Sequence, residues 1–141
     1  MLRITLLALI ALLPAATASA EQGYSAKTHV TPLLETGKTI IGQPIAYPEG
    51  TAKVTAAIVT IPPGGQTGWH EHAVPLFVYV LSGAVTVDYG DKGVHVYKAG
   101  DSLMEAMNWP HNGVNKGNKP VRILAVYMGA EGIPNATPVA K

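Results

Sequence analysis

The chemistry this chain could perform starts at His70 and His72, which follow a Pro62-Pro63-Gly64-Gly65 turn and open a run of β-formers, residues 76–81. On a strand, residues i and i+2 project from the same face. His70 and His72 would therefore aim two imidazoles at one point, with Glu71 aimed the other way. Two converging neutral imidazoles are half of a site for a first-row divalent metal. A lone His-x-His is also common at loop edges, so the remaining ligands must come from elsewhere. His111, between Pro110 and Asn112, is the third candidate; a strand returning after a turn would carry it back toward the sheet of His70 and His72. The chain has no cysteine, so imidazole, carboxylate and water are the available ligands, and disulfides and thiol nucleophiles are excluded.

The elements that must position these groups read as strands. Residues 54–61, 76–81, 84–89, 94–98, 102–107 and 121–128 are rich in β-branched and aromatic residues, and Gly, Pro or Asp separates them at short intervals. No segment after residue 20 shows a sustained helical period. This pattern predicts an all-β chain, a small antiparallel β-barrel or jelly roll. Residues 21–50 read as an N-terminal arm with short extended pieces, residues 51–129 as the barrel, and residues 130–141, rich in Pro, Gly and Ala, as a flexible tail.

The first residues read as a processing signal. Met1-Leu2-Arg3 is a short positive head, residues 4–13 are apolar apart from Thr5, and Ala18-Ser19-Ala20 is a small-x-small cleavage pattern. The apolar run is too short to span a bilayer, and the whole is that of a secretory signal peptide. Cleavage is expected after Ala20, leaving a periplasmic or secreted chain with no membrane attachment. Of the 10 basic residues, loss of Arg3 leaves a number equal to the 9 acidic ones. A near-neutral chain without a basic cluster lacks the footprint of a nucleic-acid binder.

The spacing of the histidines resembles the two cupin motifs. The first is a glycine, five residues, His-x-His, three or four residues, a glutamate, six residues and a glycine; Gly64, His70, His72 and Gly83 match it. The second is a glycine, five residues, Pro-x-Gly, two residues, a histidine, three residues and an asparagine; Gly100, His111 and Asn115 match, with Ala106 and Asn108 at the Pro and Gly positions. The resemblance, to a small single-domain cupin of the quercetin-dioxygenase-like kind, covers about residues 54–128. It implies one divalent transition metal (Fe, Mn, Ni, Zn or Cu) held by His70, His72 and His111. The motif glutamate is replaced by Leu76, which cannot ligate. Either three protein ligands and water hold the metal, or another carboxylate has moved in; Glu105 is the candidate, because the resemblance implies that the strand after Gly100 neighbours the strand of the missing glutamate. A carboxylate among Leu103, Met104, Ala106 and Met107 is costly unless paired or metal-bound. Glu105 is then the fourth ligand or a general base near the metal.

The resemblance implies a metal-dependent, dioxygenase-like oxidoreductase acting on a small oxygen-rich molecule. An isomerase or lyase, a non-catalytic metal or ligand binder, and a structural cupin with a vestigial pocket are the alternatives. A homodimer is expected, with apolar faces around Phe77, Tyr79 and Tyr97 in contact. Trp69 and Trp109 flank ligand histidines and either wall the pocket mouth or pack the barrel end. His29 and His95 read as solvated or structural, Met104 and Met107 as core, and Gln43 and Tyr47 as side chains that could reach over the opening.

Overall fold

A computed structural model describes Tyr24, Ser25 and residues 27–140. The signal peptide read at residues 1–20 lies outside these. Two compact units divide the chain after Pro32. The short first unit contains one described turn, in which the Thr28 amide donates to the Ser25 carbonyl at 2.9 Å. The second unit, from Leu33 onward, holds every strand found among the described residues.

Among the described residues nine strands follow in chain order: β1 (Ala52–Ile61), β2 (His70–Glu71), β3 (Leu76–Ser82), β4 (Ala84–Asp88), β5 (Val94–Lys98), β6 (Ser102–Met104), β7 (Asn112–Val114), β8 (Val121–Ala130) and β9 (Thr137–Pro138). One 3-10 turn, Gly90–Lys92, is the sole helical element among the described residues. All pairings are antiparallel. One sheet has the order β1-β8-β3-β6, a second has β5-β4-β7, and β2 and β9 form a separate pair. The fold is the all-β barrel that the strand spacing predicts.

Alternation along the strands places the core between the sheets. Val78 and Val80 on β3, Val85 and Val87 on β4, and Ile123 and Ala125 on β8 are buried at every second position. Each fully buried valine or isoleucine contributes roughly 1.5–3 kcal/mol. Gly83 makes the β3–β4 turn at φ +80°, a conformation that L side chains rarely adopt. A Cβ there would lie 3.0 Å from Val121 Cγ2 and 3.1 Å from its Cα. Val121 is fully buried and has nowhere to move. Gly83→Ala is therefore expected to cost about 1–3 kcal/mol, read as a lowered midpoint of thermal unfolding.

Three details differ from the sequence reading. The strand expected over residues 102–107 stops at Met104, because Gln43 captures the chain beyond it: its Nε2 donates to the Met107 carbonyl (2.7 Å) and its Oε1 accepts from the Met107 amide (3.0 Å). Tyr97 is buried in the core, with its hydroxyl 3.3 Å from that of Tyr89, so it cannot serve the outer contact face expected of it. The segment read as a flexible tail is tied to the barrel: His70 pairs with Pro138 and Glu71 with Thr137, and the Val139 amide donates to the Trp69 carbonyl at 3.0 Å.

Candidate metal centre

His70 begins β2 and forms an isolated antiparallel bridge with His111, just before β7. The His70 amide donates to the His111 carbonyl at 3.1 Å and the reverse bond is 2.9 Å. This bridge fixes the two distant segments side by side, the closure that spacing alone could not establish. His72 joins from the end of β2. The ring centroids lie 4.5 Å (His70–His111), 4.9 Å (His70–His72) and 5.1 Å (His72–His111) apart. One ligand-capable nitrogen from each ring lies within 4.8 Å of the others.

The hydrogen bonds settle which nitrogen that is. His70 Nδ1 lies 2.8 Å from the Gly68 carbonyl, His111 Nδ1 2.8 Å from the Trp109 carbonyl, and His72 Nδ1 2.6 Å from the Asn135 carbonyl. A carbonyl oxygen only accepts, so each Nδ1 carries the proton and each Nε2 keeps its lone pair. Backbone carbonyls that fix the tautomer in this way are a common outer support of metal-ligating histidines.

Glu105 lies one residue beyond β6, and its amide donates to the Leu76 carbonyl at 2.9 Å. Glu105 is thus the cross-strand neighbour of Leu76, the residue at the motif-glutamate position. Its Oε1 accepts from the Ala106 amide (2.7 Å). Oε2 lies 3.9 Å from His111 Nε2. A carboxylate oxygen facing a nitrogen lone pair is unfavourable unless a cation or a proton lies between them. Three Nε2 lone pairs and this oxygen make a hard, nitrogen-rich donor set that suits a first-row divalent metal. The residues fit the group.

Electrostatics agrees with a site built for a cation. Burial pushes the His72 imidazole down to about 4; the Asn135 hydrogen bond opposes this, and the neighbouring His111 and His70 reinforce it. Burial lowers His70 and His111 as well. Neutral imidazoles are the ligating form. Burial also raises Glu105, against the bond from the Ala106 amide. For His72 the unfolded chain binds more protons between about pH 4 and 6.5, so stability rises with pH through that window and is fully present above it. Glu105 acts in the opposite sense, its contribution fading as pH rises above its unfolded value. In metal-free protein the His72 effect alone is expected to remove on the order of 2 kcal/mol between pH 7 and pH 5. The difference between native protein and His72→Gln, each unfolded by urea at the two pH values, isolates it, and an equal pH dependence in both would contradict the assignment.

Below the histidines a cavity of about 100 Å³ runs between the sheets, walled by Val59, Val78, Val85, Leu103 and Ile123 among others. Tyr127 and Tyr97 also line it, and the Tyr127 ring lies 5.6 Å from that of His72. Sequence reasoning missed Tyr127, although Ile123, Ala125 and Tyr127 share one face of β8 by simple alternation. It also missed Tyr89, fully buried, whose ring lies 5.6 Å from His111. Burial raises Tyr97 to about 12, partly offset by its bond to Tyr89, and also raises Tyr127. Trp69 and Trp109 do not line this cavity; they border a separate groove of about 240 Å³ with Pro110 and Ala140. His29 and His95 are exposed and Tyr47 is 70% exposed.

A two-sheet antiparallel barrel with three histidines converging at its interior defines a class of metal-binding β-barrels. The Cupin domain family model matches residues 57–127, and the chain belongs to that family. No curated protein matches the sequence. Among solved structures, an oxalate decarboxylase from Lactobacillus farciminis in a formate complex is 25% identical with a TM-score of 0.53, covering 61% of this chain and 26% of its own. A DMSP lyase from Ruegeria pomeroyi is 17% identical with a TM-score of 0.54, covering 61% and 43%. An uncharacterised conserved protein with a double-stranded β-helix domain, from Klebsiella pneumoniae, is 17% identical with a TM-score of 0.53, covering 82% of this chain and 100% of its own. The chain thus spans about a quarter of the decarboxylase and under half of the lyase.

Proposed function

We propose that this cupin is a divalent-metal-dependent enzyme that moves a proton on a small molecule held in the barrel, a lyase- or isomerase-type reaction. The observation that carries this is the single buried carboxyl, Glu105, set beside three tautomer-fixed histidines at one end of an apolar cavity. The metal, when bound, supplies a Lewis acid that polarises a donor atom of the substrate. His70, His72 and His111 would hold that metal, with Glu105 beside them as a further donor. Glu105 would also be the group that takes or returns the proton. The Ala106 amide holds the carboxyl in place, and the walls exclude water.

A dioxygenase-like oxidation is the second reading, favoured by apolar walls that accept O₂ as readily as a hydrocarbon group. Turnover of a substrate panel by Fe-, Mn- and Zn-loaded protein, in air and without oxygen, decides between them. Activity undiminished without oxygen supports proton transfer, and a strict oxygen requirement supports oxidation. A fully loaded protein inert to the whole panel would favour a binding module.

The proposal includes export, with cleavage behind Ala20, which N-terminal sequencing of the mature chain tests. It includes a homodimer as well. The edge strand β1 shows Val54 (67% exposed) and Ile58 (48%), continuous with the outward Phe77 and Tyr79 of β3 through β8. Light scattering that gives a monomer mass at high concentration would refute it.

A further inference from the structure

We propose that Gln43, on the N-terminal arm, is a positioning residue that sets where the Glu105 carboxyl stands against the three histidines. This deepens the metalloenzyme reading and rests on the role given there to Glu105. Gln43 is not among the side chains that line the cavity, so it acts through the backbone that carries Glu105.

That backbone is held from two sides. β6 is an edge strand, paired with β3 alone. On the barrel side, the Leu76 carbonyl accepts from the Glu105 amide (2.9 Å) and the His72 carbonyl accepts from the Asn108 amide (2.7 Å). The arm supplies the other side. The Ile40 amide donates to the Met104 carbonyl at 2.8 Å, and the Gln43 side chain bonds both the amide and the carbonyl of Met107. Met104 and Met107 bracket Glu105. The clamp is itself aimed, because the hydroxyl of buried Thr39 donates to Gln43 Oε1 at 3.0 Å. Just past the clamp the chain turns sharply: among the described residues Asn108 is the only non-glycine with a positive φ, +47°. Such a conformation persists where its surroundings dictate it. Here Gln43 takes the carbonyl of the Met107–Asn108 peptide and His72 takes its amide. The Glu105 carboxyl is tied to this same backbone, since its Oε1 accepts from the Ala106 amide. Where the backbone goes the carboxyl follows, and with it the 3.9 Å separation of Oε2 from His111 Nε2.

Gln43→Met tests this, because it keeps the length of the side chain and removes its bonds to Met107 and Thr39. Affinity of the full-length chain for Co(II), from competition with a chromophoric chelator, is expected to fall about tenfold, the lower end of what loss of outer support costs. In a Glu105→Ala background the same change is expected to alter affinity by less than about twofold, because the group being positioned is gone. An equal loss in both backgrounds would overturn the proposal, since Gln43 would then act only through the general stability of the fold. Native affinity in Gln43→Met, where Glu105→Ala does lose affinity, would overturn it as well. Should Glu105→Ala bind cobalt as tightly as the native chain, or should no variant take up cobalt, the metal role of Glu105 fails rather than this proposal. Hydrogen exchange at the Ala106 amide of the metal-free protein then decides. Exchange quickened at least about tenfold in Gln43→Met, with β4 and β8 unchanged, upholds the clamp, and unchanged exchange ends it. If Gln43→Met does not fold, Thr39→Val, which loses the bonds that aim Gln43, is read in the same way.

Discussion

Truncation of the chain after Gly132 is expected to weaken zinc or cobalt binding by about 10- to 100-fold, the range that losses of outer support around a metal produce, while the barrel still folds. The reason lies in where each histidine finds its Nδ1 partner. His70 and His111 use carbonyls two residues upstream, at Gly68 and Trp109, so their own loops orient them. His72 uses the carbonyl of Asn135, 63 residues later, at 2.6 Å. That carbonyl is held by β9, which pairs with β2, and by the Val139–Trp69 bond. Without residues 133–141 the His72 ring loses both its preferred tautomer and its fixed orientation, and one donor in the set must be organised anew for each binding event. The sheets that carry the core, β1-β8-β3-β6 and β5-β4-β7, do not include the tail, so circular dichroism should change little. Competition against a chromophoric chelator gives the affinity, and long-range ¹H–¹⁵N NMR on the metal-free protein gives the tautomer. Asn135→Ala keeps the backbone carbonyl and is expected to bind metal almost as well as the native chain. A truncated protein with native affinity would show that the tail only lies against the site.

The reach of sequence reasoning here follows physical scale. The long strands were legible because alternation over five or more residues is a strong signal: the expected residues 94–98 coincide with β5, and β3 and β8 differ from expectation only at their ends. The pieces that build the site, β2, β7 and β9, are two or three residues long, too short to show a period, and their pairing partners are far away in the chain. His70, His72 and His111 were nevertheless found, because motif spacing carries information that periodicity does not. Tyr97 was misplaced because β5 is an edge strand with exposed valines at 94 and 96. An aromatic beside exposed valines gives no sign that its hydroxyl finds Tyr89 inside the barrel. The pairing of residues 137–138 with β2 was illegible for a related reason. Pro, Gly and Ala report weak local preference, whereas this contact comes from backbone bonds to β2 and from the bond between the His72 ring and the Asn135 carbonyl.

Glu105→Ala is expected to lower metal affinity by more than about 100-fold, beyond the range set by outer-shell losses, and Leu76→Glu in the same chain is expected to restore most of it. The two positions are cross-strand neighbours, joined by the bond from the Glu105 amide to the Leu76 carbonyl, and both side chains line the same cavity. A carboxylate from either therefore arrives beside the same three histidines from adjoining strands. The chain carries a carboxyl at 105, where the Ala106 amide holds it; a carboxylate at 76 lacks that partner, so recovery to within about tenfold of native affinity, rather than complete recovery, is the expected result. Leu76→Glu on its own would bury two carboxylates in one cavity, where like charges cannot both ionise cheaply, and should destabilise the metal-free protein more at pH 8 than at pH 5. Native affinity in Glu105→Ala would remove Glu105 from the ligand set and leave it the proton-transfer role alone. Lost affinity without rescue, in a double variant shown to be folded, would mean that strand exchange does not carry the ligand and that Glu105 is held where only its own backbone can place it.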